Sequence, residues 1–244
     1  MLYLNRLTGL TFACLLLVSN LVTADVYEEQ DRFESFNRVM FDFNDSADKY
    51  LVKPVAQAYK FITPKLVNEG VTNFFNNLGD VETFANSLLQ AKLNNAMITL
   101  YRVIYNSSFG LGGLIDVATH FGLKNNQEDF GQTLAYWGYE NSSYLMLPFL
   151  GPSTVRDLTG RAIDIVYDPL LYFDQLSDDV RWLSLGVELV DKRADLLGAE
   201  NLLLGMDRYQ FVRSAYFQNR EFLIKDGEID DPFANESFED FEDF

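Results

Sequence analysis

The chain has little of what most disulfide and metal chemistry requires. Its 244 residues include one cysteine and one histidine. A disulfide scaffold needs paired cysteines, and a zinc finger or a histidine-built metal site needs several such ligands. We therefore expect neither a disulfide framework nor a metal centre, and we predict no cofactor.

Basic residues are also scarce. The chain carries 19 Lys and Arg against 36 Asp and Glu, which gives a formal net charge of −17. Binding to nucleic acid through general electrostatics needs an excess of basic residues that neutralise phosphates, so nucleic acid is excluded as such a partner. Hydrophobic residues make up 48% and aromatic residues 15% of the chain, and this content excludes a globally disordered protein.

Residues 1–24 are predicted to be a cleaved signal peptide. Arg6 is the only charge in this segment, a mostly apolar stretch from Leu7 to Val22 follows it, and Ala24 ends a small-residue cleavage pattern. A retained membrane anchor is the alternative, but the stretch is shorter than the ~20 apolar residues of a spanning helix and Asn20 interrupts it.

Cys14 is an alternative processing site, as the acylated residue of a lipoprotein. However, bulky Phe12 precedes it and the apolar run continues after it. The pattern favours cleavage after Ala24 over acylation of Cys14.

The body of the chain, residues 25–225, is predicted to be all-α. Apolar residues recur at alternating spacings of three and four, which is the pattern of one helix face. They do so in Phe33, Phe36, Met40, Phe43, Ala47 and Tyr50, and again in Val180, Leu183, Val187, Val190, Ala194 and Leu197. We expect Pro54 to end the first helix and Gly198 the second. A third helix is expected at about 201–223, and no alternating strand pattern predicts a sheet-rich fold.

Residues 226–244 form a distinct acidic tail, with nine acidic residues, no basic residue and four phenylalanines. A solvated, disordered tail is the simpler interpretation, and a partner-binding motif with aromatic anchors is the alternative.

Residues 104–175 combine apolar and aromatic side chains with glycine and proline, and this composition suits either a protein core or contact with lipid. No nucleotide motif is present, because the glycine pair at Gly110 and Gly112 lacks the third glycine of a dinucleotide loop. His120, the only imidazole, is expected to be exposed, and no nucleophile elbow accompanies it. The carboxylate pairs, such as Glu128-Asp129, are read as charges at helix N-termini. We therefore do not expect an enzyme.

Several motifs nevertheless occur together in order. The chain contains Phe36-Asn37-Arg38-x-Met40-Phe41-x-Phe43-Asn44, Lys53-Pro54-Val55-Ala56-x-Ala58-Tyr59, Asn73-Phe74-x-x-Asn77-Leu78, Gly110-Leu111-Gly112-Gly113-x-Ile115-Asp116-Val117-Ala118, Phe130-Gly131-x-Thr133-Leu134-x-x-x-Gly138, Leu147-Pro148-Phe149-x-Gly151 with Arg156-Asp157, and Val212-Arg213-x-Ala215-Tyr216-Phe217-Gln218. Together they resemble the MlaA (VacJ) family over about residues 34–227.

This resemblance implies a ring-shaped bundle of amphipathic helices with a central amphipathic channel, set in the periplasmic leaflet of a Gram-negative outer membrane. It implies intermembrane phospholipid transport that maintains outer-membrane lipid asymmetry, by removing mislocalised phospholipids from the outer leaflet. The implied partners are phospholipid, the periplasmic carrier MlaC and a trimeric porin. The weak lipoprotein signal and the acidic tail depart from the family pattern.

On this interpretation, residues 109–150 border the channel. The lipid-channel candidates are Gly110, Gly112, Gly113, Phe130, Gly131 and Tyr136. The membrane-interface candidates, chosen because amphipathic rings favour the headgroup level, are Trp137, Tyr139, Tyr144 and Phe149. Two alternatives stay open: a helical periplasmic scaffold that binds porins without moving lipid, and an envelope hydrolase that would depend on His120.

Overall fold

The computed structural model describes residues 31–139, 142–172, 177–198 and 207–228. The predicted signal peptide with Cys14, residues 201–206 of the third predicted helix, and residues 229–244 of the acidic tail lie outside the described residues.

The described part of the chain is mostly helical, as predicted. Its first half contains α1 (Glu34–Ala47), a π-helical segment (Asp48–Val52), α2 (Lys53–Ile62), α3 (Lys65–Leu89), α4 (Leu93–Ser108) and α5 (Val117–His120). Its second half contains α6 (Phe130–Tyr136), β1 (Tyr144–Leu147), β2 (Gly151–Thr154), α7 (Val155–Asp164) continued by a 3-10 turn (Ile165–Tyr167), α8 (Pro169–Tyr172), α9 (Asp178–Leu196) and α10 (Arg208–Ile224). Among these elements α3 packs on α4, α6 on α7, and α9 on α2 and α3.

Pro54 does not end the first helix, so that prediction is wrong. The chain continues through the π-helical segment, in which the N–H of Lys53 reaches the carbonyl of Asp48 five residues earlier. Pro54 then lies in the first turn of α2. At a helix start proline is tolerated because its missing N–H has no helical partner to lose.

The strands β1 and β2 form an antiparallel hairpin that the sequence pattern did not predict. Asn37 of α1 holds the outer edge of β1: its Nδ2 donates to the carbonyl of Tyr144 (3.1 Å), and its Oδ1 accepts from the N–H of Met146 (2.8 Å). Pro152 lies opposite Met146. Because the N–H of Met146 is directed to Asn37, proline at the facing position costs the ladder no hydrogen bond.

Asn44 repeats this arrangement three residues further along the hairpin. Its Nδ2 donates to the carbonyl of Leu147 and its Oδ1 accepts from the N–H of Phe149, both at 2.8 Å. The seven residue steps from Asn37 to Asn44 rise about 10.5 Å along a helix, and three residue steps rise about 10 Å along a strand. The matching lengths keep the two asparagines in register with β1.

The distribution of polarity is the reverse of that in a water-soluble domain. Of the twelve largest fully buried side chains among the described residues, ten are polar or charged; only Tyr144 and Met146 are not. Large apolar side chains are instead widely exposed, including Phe61 (90%) and Leu66 (80%). The interior is therefore held together largely by hydrogen bonds and ion pairs rather than by apolar packing.

The stripe predicted on α1 follows this reversal, whereas the one on α9 does so at Val180 and Leu183 but not at Ala194, which is buried. Four residues of the first predicted stripe, which extends just beyond both ends of α1, are exposed: Phe33, Phe36, Phe43 and Tyr50. The fully buried side chain of α1 is that of Asn37. On α9, Asp191 is buried. It accepts hydrogen bonds from Tyr59 (2.9 Å), Asn68 (2.7 Å) and Thr72 (2.7 Å). No helix in the described part of the chain is both long enough and apolar enough to cross a bilayer.

Candidate functional site

Two cavities of about 460 Å³ and 390 Å³ lie side by side and share part of their lining. The shared residues are Phe75, Gly79, Glu82, Asp129 and Glu188. The larger cavity is also lined by apolar side chains of α3, the segment after α7, and α9, namely Leu78, Ile165, Leu170 and Leu185. The smaller is also lined by polar residues that include Gln127, Glu128, Gln132 and Lys192.

Two turns of α3 contribute to the wall common to both cavities. Phe75, Gly79 and Glu82 are spaced four and three residues apart, so a helix places them on one face. A Cβ added at Gly79 would meet no heavy atom within 4 Å. The cavity is therefore open directly in front of this glycine.

Two carboxyl groups of the lining, those of Glu82 and Asp164, interact directly through a side-chain hydrogen bond. Burial, followed by the nearby charge of Asp164, raises the pKa of Glu82 to about 8. Asp164 accepts from the side chain of Asn86 (3.0 Å) and from the N–H of Phe130 (2.9 Å). These donors favour the ionised form of Asp164, so the proton of the pair resides on Glu82.

The other acids are paired more directly. Asp129 caps α6 by accepting from the N–H of Gln132 (2.8 Å), as expected for a carboxylate at a helix N-terminus. It also binds Arg220 through both of its oxygens, at 2.5 and 3.0 Å. Glu128 accepts from Lys92 (2.8 Å) and Gln90 (2.9 Å).

Gln132 is 98% buried and lines the smaller cavity. Its Nε2 donates to the carbonyl of Gln127 (3.2 Å). Its Oε1 accepts no hydrogen bond from the described residues. An unpaired buried acceptor is costly, so this atom is a place where a hydrogen-bond donor would be stabilised.

The arrangement suits binding more than catalysis. Polar and apolar lining meet in one space, as a ligand with a charged head and an apolar tail requires. Among the described residues no group of histidine, cysteine and carboxylate side chains is arranged to hold a metal ion. His120 is exposed at the end of α5, where its Nδ1 lies 3.0 Å from the carbonyl of Asp116.

The structure places the predicted glycines in a tight turn after α4. Gly110 and Gly113 are buried; a Cβ on Gly110 would lie 2.1 Å from the carbonyl oxygen of Ile115, and one on Gly113 would lie 2.7 Å from Asn77. Gly112 has open space around it but a φ of +73°. Close packing therefore accounts for two of the three glycines, and a channel border at this turn stays a prediction.

The remaining lipid-channel and membrane-interface candidates include both buried and exposed side chains. Phe130 and Gly131 are buried at the start of α6, and a Cβ on Gly131 would lie 2.6 Å from Asp157. The exposed rings are those of Tyr136, Trp137, Tyr139 and Phe149. Tyr144 is fully buried and packs against Tyr209, Tyr216 and Phe217 inside the protein, so its ring is not on the surface.

Sequence reasoning missed the cavity residues Glu82, Gln132 and Asp164. A signal was available on α3, where Asn77, Asp80, Thr83 and Ser87 recur at helical spacing and are all buried. A polar stripe of this kind marks a helix that faces a polar interior, and the periodicity of apolar residues does not reveal it.

The comparisons with known proteins agree with this architecture. A sequence model of the family described as MlaA lipoprotein matches residues 29–223. This chain belongs to the MlaA family. The predicted family resemblance is thus confirmed.

Two curated relatives bear the name intermembrane phospholipid transport system lipoprotein MlaA. The Haemophilus influenzae protein is 35% identical over 211 residues, which cover 85% of this chain and 84% of the relative. The Escherichia coli K12 protein is 34% identical over 230 residues, which cover 92% and 90%. A solved MlaA-like chain, described under "Structural basis for maintenance of bacterial outer membrane lipid asymmetry", matches with a TM-score of 0.69 at 36% identity, covering 80% of this chain and 98% of that chain.

Proposed function

We propose that this chain takes part in intermembrane phospholipid transport that maintains outer-membrane lipid asymmetry, as the names of its MlaA relatives describe. In this proposal it removes mislocalised phospholipids from the outer leaflet and passes them to the periplasmic carrier MlaC. Its place is the periplasmic face of the outer membrane, and a trimeric porin is its partner there.

The observation that carries the proposal is the reversed polarity of the fold. A protein whose large apolar side chains face outward while its interior is polar is suited to a hydrocarbon environment, because water would penalise the exposed area. Short helices that bury their backbone polar groups among one another can lie in one leaflet without spanning the bilayer. The polar and apolar cavities beside α3 are the part of the proposed ring and channel that holds the lipid.

The proposal is tested by obstructing the cavity. Gly79→Phe places a ring in open space in front of α3, and it should not strain the helix, because glycine is itself a poor helix former. Gly186→Phe is the matched control, since Gly186 lies in helix α9, has open space around its Cβ position and is exposed. Gly79→Ala is the conservative variant.

The three variants are expressed in a Gram-negative host that lacks its own MlaA protein. We expect Gly79→Phe to accumulate in the outer membrane but to fail to restore resistance to detergent with a chelator, whereas Gly79→Ala and Gly186→Phe restore it. Full activity of Gly79→Phe would contradict transport through this cavity. Protein purified without bound phospholipid, yet still attached to a porin, would instead support the scaffold alternative.

A further inference from the structure

We propose that the cavities beside α3 select phospholipids whose headgroup ends in an ammonium, such as phosphatidylethanolamine, over anionic phospholipids such as phosphatidylglycerol. This inference rests on the proposed function, and it adds the class of cargo. Two observations carry it: the charge of the lining and the unpaired acceptor of Gln132.

The lining carries more acidic than basic side chains. Besides Glu82, its carboxyl groups are those of Glu128, Asp129, Asp164, Asp168 and Glu188, whereas the cations that line the two cavities are Arg161 and Lys192. Lys92 and Arg220 lie behind the lining, and each is also paired with a carboxylate outside it, Asp226 and Asp157 respectively. A cationic group offsets part of this acidic excess, whereas an anionic headgroup adds to it.

Gln132 supplies the directional contact. Its Oε1 is a pure acceptor, and a neutral amide oxygen that no protein donor reaches pairs with a donor of the ligand. An ammonium offers three N–H donors. A phosphatidylglycerol headgroup offers hydroxyl donors without the positive charge, so it satisfies Gln132 but not the carboxylates.

A phosphate group is common to both lipids and does not discriminate between them. Arg161 of the larger cavity and Lys192 of the smaller are the cations available to it. A divalent ion bridging an anionic lipid to the carboxylates is the competing explanation of an acidic cavity. The chelator in the experiment below removes such an ion, so the experiment separates the two explanations.

Glu188 is the residue to change. It lines both cavities and forms an (i, i+4) ion pair with Lys192. Glu69 of α3 forms the same kind of ion pair with Lys65 and does not line either cavity. Glu188→Gln and Glu69→Gln each remove an (i, i+4) ion pair, of which the Glu69 pair is the more exposed. Only Glu188 lines the cavities, and Glu188→Lys reverses the charge at that position.

The full chain is stripped of lipid in detergent, incubated with vesicles of equimolar phosphatidylethanolamine and phosphatidylglycerol in the presence of a chelator, and isolated again. Mass spectrometry then measures each bound lipid per protein. We expect the wild type and Glu69→Gln to enrich phosphatidylethanolamine about two- to fivefold, which is within the range of a partly exposed charge pair. Glu188→Gln should lower this enrichment, and Glu188→Lys should favour phosphatidylglycerol.

Equal binding of the two lipids by the wild type would overturn this inference and leave the proposed function intact. So would a preference for phosphatidylglycerol, with or without the chelator. If no phospholipid of either kind is recovered, the proposed function itself fails.

Discussion

The pair of bonds between Asn37 and β1 gives the sharpest stability prediction, because a single buried side chain satisfies two backbone groups. Asn37→Ala leaves the carbonyl of Tyr144 and the N–H of Met146 without this partner, and all three residues are at most 1% exposed. A buried group left unsatisfied costs about 1–3 kcal/mol. Asp31 also loses the bond of 2.7 Å that it accepts from Asn37. We expect a total loss of about 3–5 kcal/mol, a large part of the stability of an ordinary domain.

Asn44→Ala removes the same two kinds of bond at the more exposed end of the hairpin. Asn44 is only partly buried, and Phe149 is 69% exposed. The freed groups can find other partners there, so we expect a loss of about 1 kcal/mol. Asn37→Asp keeps the acceptor for Met146 but brings a second carboxylate against Asp31, so at neutral pH it should be at least as destabilised as Asn37→Ala and should recover stability as the pH falls.

Equilibrium unfolding in mild detergent micelles measures these losses, with the fluorescence of the two tryptophans as the signal. The slope of the unfolding free energy against denaturant must be unchanged for the comparison to hold. A loss below about 1 kcal/mol for Asn37→Ala, or equal losses at Asn37 and Asn44, would refute the reasoning that burial sets the cost.

Three further outcomes follow from other buried groups. Glu82 keeps its proton in the folded state up to about pH 8 but loses it near pH 4.5 when unfolded. The free energy of unfolding should therefore fall as the pH rises through this window. In Glu82→Gln the difference in stability between pH 5 and pH 8, measured by thermal melts, should be smaller by about 2–4 kcal/mol. Arg102 is 2% exposed, and its Nε donates a hydrogen bond to Asp80 (3.1 Å). Changing Arg102 to alanine should lower the free energy of unfolding by about 3–5 kcal/mol, as an unfolding titration would show. Gly113→Ala should lower the amount of protein in the membrane far more than Gly112→Ala, as measured on immunoblots. Both glycines have a positive φ, but of the two only Gly113 has neighbouring atoms where a Cβ would lie. Equal amounts of the two variants would contradict the packing argument.

The sequence predicted the elements better than it predicted their surroundings. Periodicity placed helices over α1, α9 and most of α10, because the spacing of apolar residues depends only on the helical repeat. It missed the hairpin, since β1 and β2 have four residues each, too few for an alternating pattern, and side chains of α1 provide much of what holds β1. It also misplaced a helix end at Pro54, where a π-helical turn absorbs the change in backbone path.

The candidate site was harder to predict, because its residues become neighbours only through tertiary packing. Glu82, Gln132 and Glu188 come from α3, α6 and α9, and no local motif links them. The glycines that did form a recognisable cluster are explained at Gly110 and Gly113 by close contacts within the protein. Motifs of adjacent residues therefore identified the family, whereas the cavity required the positions of three separate helices.

The stripes on α1 and α9 show why hydrophobic periodicity alone does not reveal which side of a helix is inside. A helical repeat establishes that two faces differ, but the surrounding medium decides which of them turns inward. In water the apolar face is buried, because removing apolar surface from water stabilises the folded state by about 25 cal/mol per Å². In hydrocarbon this gain disappears and an unpaired polar group becomes the costly element. The polar face then turns inward, as Asn37 does on α1 and Asp191 on α9. A buried polar stripe opposite an exposed apolar one is therefore evidence about the medium, and on α1 it supports the proposal that this chain lies in a membrane.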